Sequence, residues 1–257
     1  MKFMAAMMLP CLCSAWLVMA MATPAAAAIT DNFDDNTQAT TWSLLEDEPA
    51  KLWLDETNQR LELRALAPTS THIDALYISN GTTGFRLKTD SDFQITIDYS
   101  FDTFAGAPGT IALDLGIGRD LAGTDSATVA YARSSSLGAV GLLGAAFRVN
   151  DAQTEILLGA AAYTGTFSIT YTSATDRLTL GNGVTSTNLD DLVQDTWNAD
   201  TVWVSFGGRG DGLTLGSGDA FLDNLSVTGD HVPVPEPATM GLLGLGLAAL
   251  LRRRRLR

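Results

Sequence analysis

The sequence has very few of the residues that most often carry nucleophilic and metal chemistry. Among 257 residues it has two cysteines, Cys11 and Cys13, and two histidines, His72 and His231. A zinc site uses several histidine or cysteine ligands, and a Ser-His-Asp triad would have to use His72 without a Gly-x-Ser-x-Gly elbow. Both cysteines lie in the apolar N-terminal run, so the rest of the chain has no thiol for a disulfide. These absences exclude a zinc or thiol enzyme and argue against a serine hydrolase.

Basic residues are scarce as well, with 16 Lys and Arg against 29 Asp and Glu. Lys2 and the five arginines of the C-terminal tail account for six of the 16, so the body between the two ends is still more acidic. An acidic surface repels phosphate backbones, and no basic stripe with interleaved aromatic residues is present. The composition therefore excludes nucleic acid as the expected partner.

The N-terminus has the three parts of a secretory signal peptide. Met1-Lys2 is a short positive start, an apolar run extends from Phe3 to Ala22, and small residues follow at Ala25–Ala28. This order is typical of a segment that signal peptidase removes during export. We predict a signal peptide over residues 1–28 and export through the inner membrane.

The C-terminus is a proline-rich junction, an uncharged apolar run and an arginine cluster. Ala238 to Leu251 is the apolar run, and Arg252, Arg253, Arg254 and Arg255 follow it. As a single hydrophobic helix this run rises about 21 Å, which is short of the roughly 30 Å hydrocarbon core of a bilayer. The arginines are expected on the cytoplasmic side. The tail, residues 232–257, is thus predicted to cross the inner membrane transiently.

The junction carries the residues Pro235, Glu236 and Pro237 immediately before the apolar run. This tail resembles the PEP-CTERM sorting signal of Gram-negative bacteria, which is also labelled an ice-binding protein C-terminal domain. The resemblance implies cleavage near Pro-Glu-Pro by the membrane transpeptidase exosortase and release to the cell surface or into extracellular polysaccharide. A plain tail anchor is the alternative, and either interpretation gives a protein of the cell envelope.

The body, residues 29–231, consists of about a dozen short strand-like runs separated by Gly, Asp, Asn, Ser and Thr. Phe93 to Phe101 alternates strictly between apolar and polar residues, and Gly165 to Tyr171 repeats that pattern. Such alternation predicts half-buried strands of antiparallel sheets. We predict an all-β domain, a two-sheet β-sandwich of jelly-roll type that resembles the concanavalin-like lectin and glucanase fold.

Two end segments strengthen the sandwich prediction. Ile29 to Asp35 and Ala220 to Val227 are similar to the first and last strands of exported laminin-G-like and carbohydrate-binding jelly rolls. The resemblance implies that the terminal strands pair in one sheet. If they do, Asp31, Asp34 and Asp35 approach Asp219 and Asp223, and these hard oxygens form a candidate site for a structural Ca²⁺ ion.

Catalytic carboxylates are not evident in the body. Glucanases of the concanavalin type commonly present Glu-x-Asp-x-x-Glu along one strand, and no such pattern occurs. Glu62 is predicted to be an isolated surface carboxylate, and Gly207 to Gly212 is predicted to be a loop or tight turn. We expect no catalysis.

Four tryptophans in the body are candidates for sugar binding, because sugars stack on aromatic platforms. Trp53 and Trp203 lie in apolar runs and are predicted to be core residues. Trp42 and Trp197 lie among Thr, Asn and Asp, and they are the predicted glycan contacts. The resulting hypothesis is a non-catalytic surface or matrix protein with extracellular polysaccharide as its candidate ligand. The alternatives are a glycan-active enzyme of concanavalin-like fold and a purely structural or adhesive matrix protein.

Overall fold

The computed structural model describes residues 28–66, 73–101, 109–134, 141–212 and 214–234. Seventeen strands occupy most of these residues. In chain order they are β1 (Ile29–Asp31), β2 (Ser43–Glu46), β3 (Leu52–Thr57), β4 (Arg60–Ala65), β5 (Ile73–Ile78), β6 (Phe85–Lys88), β7 (Phe93–Phe101), β8 (Thr110–Gly118), β9 (Ser126–Ser134), β10 (Gly141–Val149), β11 (Ala152–Ala161), β12 (Thr164–Thr172), β13 (Arg177–Gly181), β14 (Ser186–Asp190), β15 (Thr201–Asp211), β16 (Ala220–Gly229) and β17 (His231–Pro233). A 3-10 turn at Ser173–Thr175 and a π-helical turn at Leu192–Thr196 complete the described structure.

The strands form two antiparallel sheets. The eight-stranded sheet has the order β14-β13-β12-β7-β16-β4-β3, and β1 also pairs with β16. The nine-stranded sheet has the order β11-β10-β9-β8-β15-β5-β2, and β6 joins β15 to β17. The two-sheet sandwich predicted from the sequence is confirmed. The predicted pairing of the terminal strands and the antiparallel pairing of β7 with β12 are also found.

The core lies between the sheets because alternate residues of each strand point inward. On β7 the odd-numbered residues from Phe93 to Phe101 are buried, whereas Gln94 is exposed. Aromatic rings from both sheets meet there, with the Tyr99 ring 4.3 Å from Phe167 and 5.1 Å from Tyr131 between centroids. These rings set the spacing between the two sheets.

Tight turns explain two of the hairpins. Asn58 and Gln59 join β3 to β4, and both have positive φ angles of 53° and 61°. Asn150 and Asp151 join β10 to β11 in the same way, with φ angles of 50° and 67°. Two positive φ angles define the turn whose twist matches that of the flanking strands.

The glycine-rich segment at Gly207 differs from its prediction as a loop, because Gly207 to Asp211 belong to β15 at the centre of the nine-stranded sheet. Gly208 faces the opposite sheet, and a Cβ atom there would lie 2.4 Å from Cδ2 of Leu63. The glycine content therefore reflects close packing between sheets.

The described residues contain no helix long and apolar enough to cross a membrane. The predicted signal peptide up to residue 27, the Pro-Glu-Pro motif, the tail helix with its arginines, and His72 lie outside the described residues. Strand β17 contains the first residues of the predicted tail, since Val232 and Pro233 pair with Arg86 and Phe85. The tail therefore leaves the domain beside β6.

Candidate functional site

The outer face of the nine-stranded sheet forms an open groove of about 920 Å³. Strand alternation positions its lining residues. Residues at even positions on β8, such as Ala112 and Asp114, and at odd positions on β15, such as Trp203 and Arg209, point away from the core into this groove.

The middle of the groove floor is made of small side chains. Ala112, Ala130 and Ala132 come from neighbouring strands. Gly116 is buried, and a Cβ atom there would lie 3.0 Å from the Ser205 hydroxyl and 3.1 Å from that of Thr128, so these two hydroxyls occupy the space above the glycine. A flat ligand can therefore lie close to the sheet over the alanines and meet two hydroxyls beside them.

A charged cluster lies on one side of the floor. Nε of Arg209 donates to Oδ2 of Asp114 at 2.8 Å, and its Nη2 lies 2.8 Å from the same oxygen. Asp74, directly opposite Arg209 on β5, lies 3.7 Å away. The Asp114 carboxylate is the main cause that raises the pKa of Arg209, with Asp74 and Glu155 contributing. Arg209 is thus a fixed cation, and 27% of its side chain faces the groove.

The wall on β11 carries a second hydrogen-bonded series. Nε of Arg148 donates to Oε1 of Gln153 at 3.0 Å, and Nε2 of Gln153 donates to Oε1 of Glu155 at 2.7 Å. These side chains are exposed and line the groove with the neighbouring Leu157. The wall therefore offers oriented donors and acceptors opposite the Arg209 cluster.

Trp203 is, with Phe147, one of two aromatic residues that line the groove. Its indole is partly exposed, and the Arg86 guanidinium carbon lies 5.3 Å from the ring centroid. A cation near an indole within about 6 Å is attracted to its π system and restricts its rotation. Trp203 pairs with Gly118, which has no side chain to cover the ring. This arrangement is suited to stacking of an apolar sugar face.

One rim of the groove is the loop after β8. The backbone N–H of Thr124 donates to Oδ1 of Asp120 at 3.1 Å, and the Thr124 hydroxyl contacts the other oxygen. Burial opposes ionisation of Asp120, but these bonds and those from Gly123 and Ala122 prevail and lower its pKa. Leu121 projects from the loop, 48% exposed. The carboxylate holds the loop closed and leaves an apolar tip at the rim.

The groove lining places carboxylates beside hydrogen-bonding groups and an indole. Glycoside hydrolysis needs a carboxylic acid with a raised pKa and a second carboxylate across the scissile bond. Of the four groove carboxylates, Asp114 and Asp74 are paired with Arg209, Glu155 accepts a bond from Gln153, and the pKa of Asp120 is lowered. The described residues thus place stacking, donor and acceptor groups around a flat floor.

The two tryptophans predicted to contact glycan lie in the core, and that prediction is corrected. Trp42 is 3% exposed and its ring lies 4.8 Å from Phe206, while Trp197 is fully buried. The partners of the indole N–H groups are distant in sequence: Nε1 of Trp42 donates to Asp31, and Nε1 of Trp197 donates to the Arg148 carbonyl. The polar residues beside each tryptophan in the sequence were therefore a misleading guide to exposure.

The two tryptophans predicted to be core residues have the opposite outcome. Trp53 and Trp203 are partly exposed, because each alternates with buried residues on its strand. Trp203 follows Val202 and precedes Val204, both fully buried. The period of two along β15, rather than the apolar character of the segment, identifies the groove tryptophan.

The structure does not gather the five aspartates of the predicted Ca²⁺ site. Both oxygens of Asp31 accept hydrogen bonds, from Phe33 N–H and from the Trp42 indole, and Asp219 accepts one from Gly216 N–H. No group of three or more His, Cys, Asp or Glu residues within the described ranges converges as a metal site. Of the five aspartates, Asp223 has a raised pKa. Burial is the main cause, and the charges of Asp34 and Asp98 add to it. Asp35 instead accepts a bond from Thr37 N–H.

Glu62 also differs from its prediction as a surface carboxylate. It is fully buried beneath the loop that carries Ser217. Oε1 lies 2.9 Å from Nη2 of Arg60, Oε2 lies 3.4 Å from Nη1 of Arg64, and the Ser217 hydroxyl donates to Oε2 at 3.0 Å. Burial opposes ionisation, but these partners and Asn58 prevail and lower the pKa of Glu62. Its role is to hold this loop on the eight-stranded sheet.

The tail of the chain matches a known motif. The sequence-family model of the PEP-CTERM protein-sorting motif matches residues 233–255, which include Pro235, Glu236 and Pro237. The chain thus carries the sorting motif of proteins that exosortase processes at the cell envelope. No curated protein sequence matches the chain.

Solved structures match the sandwich over most of its length. An endo-1,3-beta-glucanase from Streptomyces sioyaensis is 12% identical, with 80% of this chain and 97% of that chain covered and a TM-score of 0.52. The GH16 protein of a Bacteroides ovatus mixed linkage glucan PUL, solved with a product, is 12% identical, covering 79% and 99%, with a TM-score of 0.51. The CBM2 module of the evolved Dit protein of Lactobacillus casei phage J-1 is 12% identical, covering 78% and 96%, with a TM-score of 0.50.

At these identities the matches establish the fold and nothing about activity. They confirm the predicted jelly-roll sandwich of concanavalin-like type. A shared fold supports many unrelated functions, so the function has to be argued from the groove itself.

Proposed function

We propose that this chain is an exported surface protein, processed by exosortase at Pro235-Glu236-Pro237, whose nine-stranded sheet binds a polysaccharide without cleaving it. The observation that carries the proposal is the placement of Trp203 and the Arg209–Asp114 pair on one open groove of about 920 Å³. An open groove admits the interior of a long chain, whereas a closed pocket admits only an end.

The chemistry of the groove favours neutral sugars. A sugar ring offers an apolar face to an indole and hydroxyl groups to fixed donors and acceptors. Trp203 supplies the indole. Arg209, Gln153 and Glu155 supply the fixed donors and acceptors. Acidic side chains outnumber basic ones in the lining, so the groove repels a strongly anionic polysaccharide.

The state of the carboxylates supports binding without cleavage. The alternative is a glycan-active enzyme, and the glucanase matches keep it open because they share the fold. Such an enzyme would need one groove carboxylate to act as an acid, and the hydrogen-bonded ion pair of Asp114 with Arg209 stabilises the anion instead. A structural or adhesive matrix protein without a soluble ligand is the third alternative.

The binding experiment compares two partly exposed tryptophans on opposite sheets. Affinity electrophoresis through neutral β-glucans should show retardation of the wild type that Trp203→Ala reduces about ten-fold, which corresponds to about 1.4 kcal/mol. Trp53→Ala, on the other sheet, should bind as the wild type does. Equal binding by Trp203→Ala would remove the groove from consideration, and no binding to any glycan would favour the adhesive alternative.

Two further measurements separate the alternatives. Release of reducing ends from the same glucans, abolished by Asp114→Asn, would establish the enzyme. The intact mass of the protein recovered from envelope and medium tests processing. The wild type should lack both ends, and Glu236→Ala should keep residues 238–257. A wild-type mass that still contains Arg252 to Arg255 would identify a plain tail anchor.

A further inference from the structure

The edges of the two sheets differ in how they are protected. The main path of the eight-stranded sheet ends at β14 and β3, and that of the nine-stranded sheet ends at β11 and β2; the further edge strands β1 and β17 have only three residues each. An edge strand presents unpaired backbone N–H and C=O groups, which form a template for another strand. Natural proteins therefore shorten, charge or cover such edges.

Three of the edges have such protection. On β3, the N–H of Leu54 donates to Oε1 of Glu46 at 3.0 Å, so a side chain from β2 occupies that edge. Strand β2 itself has only four residues. Strand β14 has five, and its terminal Asp190 forms an ion pair with Arg177 at 2.6 Å.

Strand β11 lacks these devices. It has ten residues, Ala152 to Ala161, with no proline and with Glu155 as its one charged residue. Leu157 is 68% exposed at the middle of the strand. A bulge near Gly159 interrupts the register with β10, so residues 152–157 form a regular six-residue edge. Within the described ranges no strand pairs with its outer side.

The chemistry of this edge fits a second copy of the same chain. The whole chain has a formal net charge of −13, so two copies repel each other over most of their surface. The edge residues 152–157 carry one charge, and that carboxylate already accepts a bond from Gln153. A cationic partner would find little to bind there, whereas an identical antiparallel strand meets the same backbone groups across a two-fold axis.

We propose that β11 is a homodimer interface, at which two copies pair antiparallel and join their nine-stranded sheets into one. The tight turn at Asn150 and Asp151 holds β10 and β11 as a hairpin, so the edge is preformed. Gln153, Glu155 and Leu157 line the groove as well as the edge, and pairing therefore brings the two grooves side by side. This last consequence rests on the proposed polysaccharide function, for which two adjoining grooves would raise the avidity for a long chain.

The test measures oligomeric state without any glycan. The exported protein is purified, and its mass in solution is determined by sedimentation velocity across a concentration series. We expect a concentration-dependent dimer. Thr154→Lys puts a charge on the exposed edge of β11 and leaves the groove lining unchanged. It should raise the dissociation constant of the dimer about ten-fold or more. Ser186→Lys, on the exposed edge of β14, is the matched control and should dimerise normally.

A cysteine pair gives an independent reading, because the sequence has no cysteine after Cys13. Thr154→Cys, which lies next to the two-fold axis if residues 152–157 pair along their full length, should form disulfide-linked dimers under mild oxidation, and Ser186→Cys should not. A wild type that stays monomeric at all concentrations would overturn the proposal. So would a dimer that Thr154→Lys leaves intact, since another surface would then be responsible. Neither result bears on glycan binding, which Trp203→Ala tests separately.

Discussion

Arg209 and Asp114 face each other across the two central strands of the groove floor, with Nε and Nη2 of the arginine both 2.8 Å from one carboxylate oxygen. The Asp114 side chain is 2% exposed, so its carboxylate is removed from solvent. Replacing Arg209 by Leu leaves a buried carboxylate with one cation fewer. We expect Arg209→Leu to lower the free energy of unfolding by about 3 kcal/mol, measured by urea denaturation.

The double variant provides the control. Arg209→Leu with Asp114→Leu removes both charges, and we expect it to recover most of the lost stability because the desolvation penalty disappears with the ion pair. A double variant as unstable as the single one would mean that packing of the arginine stem, rather than the charge, holds this part of the floor.

Glu62 is expected to fix the loop around Ser217 to the eight-stranded sheet. Glu62→Gln keeps the shape of the side chain but removes the charge that attracts Arg60 and Arg64. We expect a loss of about 2 kcal/mol of stability at pH 7, together with faster proteolysis of the loop. Glu48→Gln, which breaks the exposed pair with Lys51, should change stability by less than about 0.5 kcal/mol.

The pH dependence gives a second reading of Glu62. Its pKa is lowered by folding. The stabilisation is therefore present above the pKa of the unfolded chain and is lost as the pH falls through the lower pKa of the folded state. Glu62→Gln should be less sensitive than the wild type to acid below about pH 4.5, and equal acid sensitivity of the two proteins would contradict this role.

The buried carboxylate of Asp176 organises the π-helical turn before β15. It accepts hydrogen bonds from the hydroxyl of Tyr171 at 3.0 Å and from the N–H groups of Val193, Gln194 and Asp195 at 3.0 to 3.2 Å. We expect Asp176→Asn to cost about 2 kcal/mol and to speed hydrogen exchange of these three amides. Asp195→Asn, an exposed neighbour, is the control. Unchanged exchange in Asp176→Asn would show that the turn forms without the carboxylate.

The sandwich could be predicted because the alternation of apolar and polar residues that identifies its strands is visible within each strand's own sequence. On β7 strict alternation between Phe93 and Phe101 determines which face is buried, and the same rule holds on β12. The strands missed in the sequence, such as β2 and β6, have four residues, which is too short for a period to be visible. Their structure depends on pairing with distant strands.

The groove could be predicted only in part, for a physical reason. Asp114 and Arg209 are 95 residues apart in sequence and meet because β8 and β15 are neighbours, a fact of topology that composition does not encode. The available signal was a polar residue at one outward position of an otherwise apolar strand. Trp42 was misassigned because its polar sequence neighbours include the turn residues around it, while its N–H is satisfied by Asp31 from another strand.

Glu56 is a partly buried carboxyl group without normal hydrogen-bond partners. It follows Leu52 and Leu54 on the inward face of β3, and neither of its carboxylate oxygens has a hydrogen-bond partner of normal geometry. Burial is the main cause that raises its pKa to about 7, with the charges of Asp31 and Asp35 adding to it and the Tyr77 hydroxyl partly opposing it. The folded protein therefore favours the protonated form of this residue.

A raised carboxyl pKa makes a contribution to stability that is complete below about pH 4.5 and is lost as the pH rises through about 7. A shift of this size in a fully buried group corresponds to about 3 kcal/mol, and solvent screening of a half-buried side chain reduces it to about 1 kcal/mol. Glu56→Gln cannot ionise, so we expect it to be more stable than the wild type by about 1 kcal/mol at pH 8 and equal to it at pH 4. Urea denaturation at both pH values measures the difference, with Glu48→Gln as the control for removing an exposed carboxylate. A difference between Glu56→Gln and the wild type that is the same at pH 4 and pH 8 would mean that Glu56 does not titrate on folding.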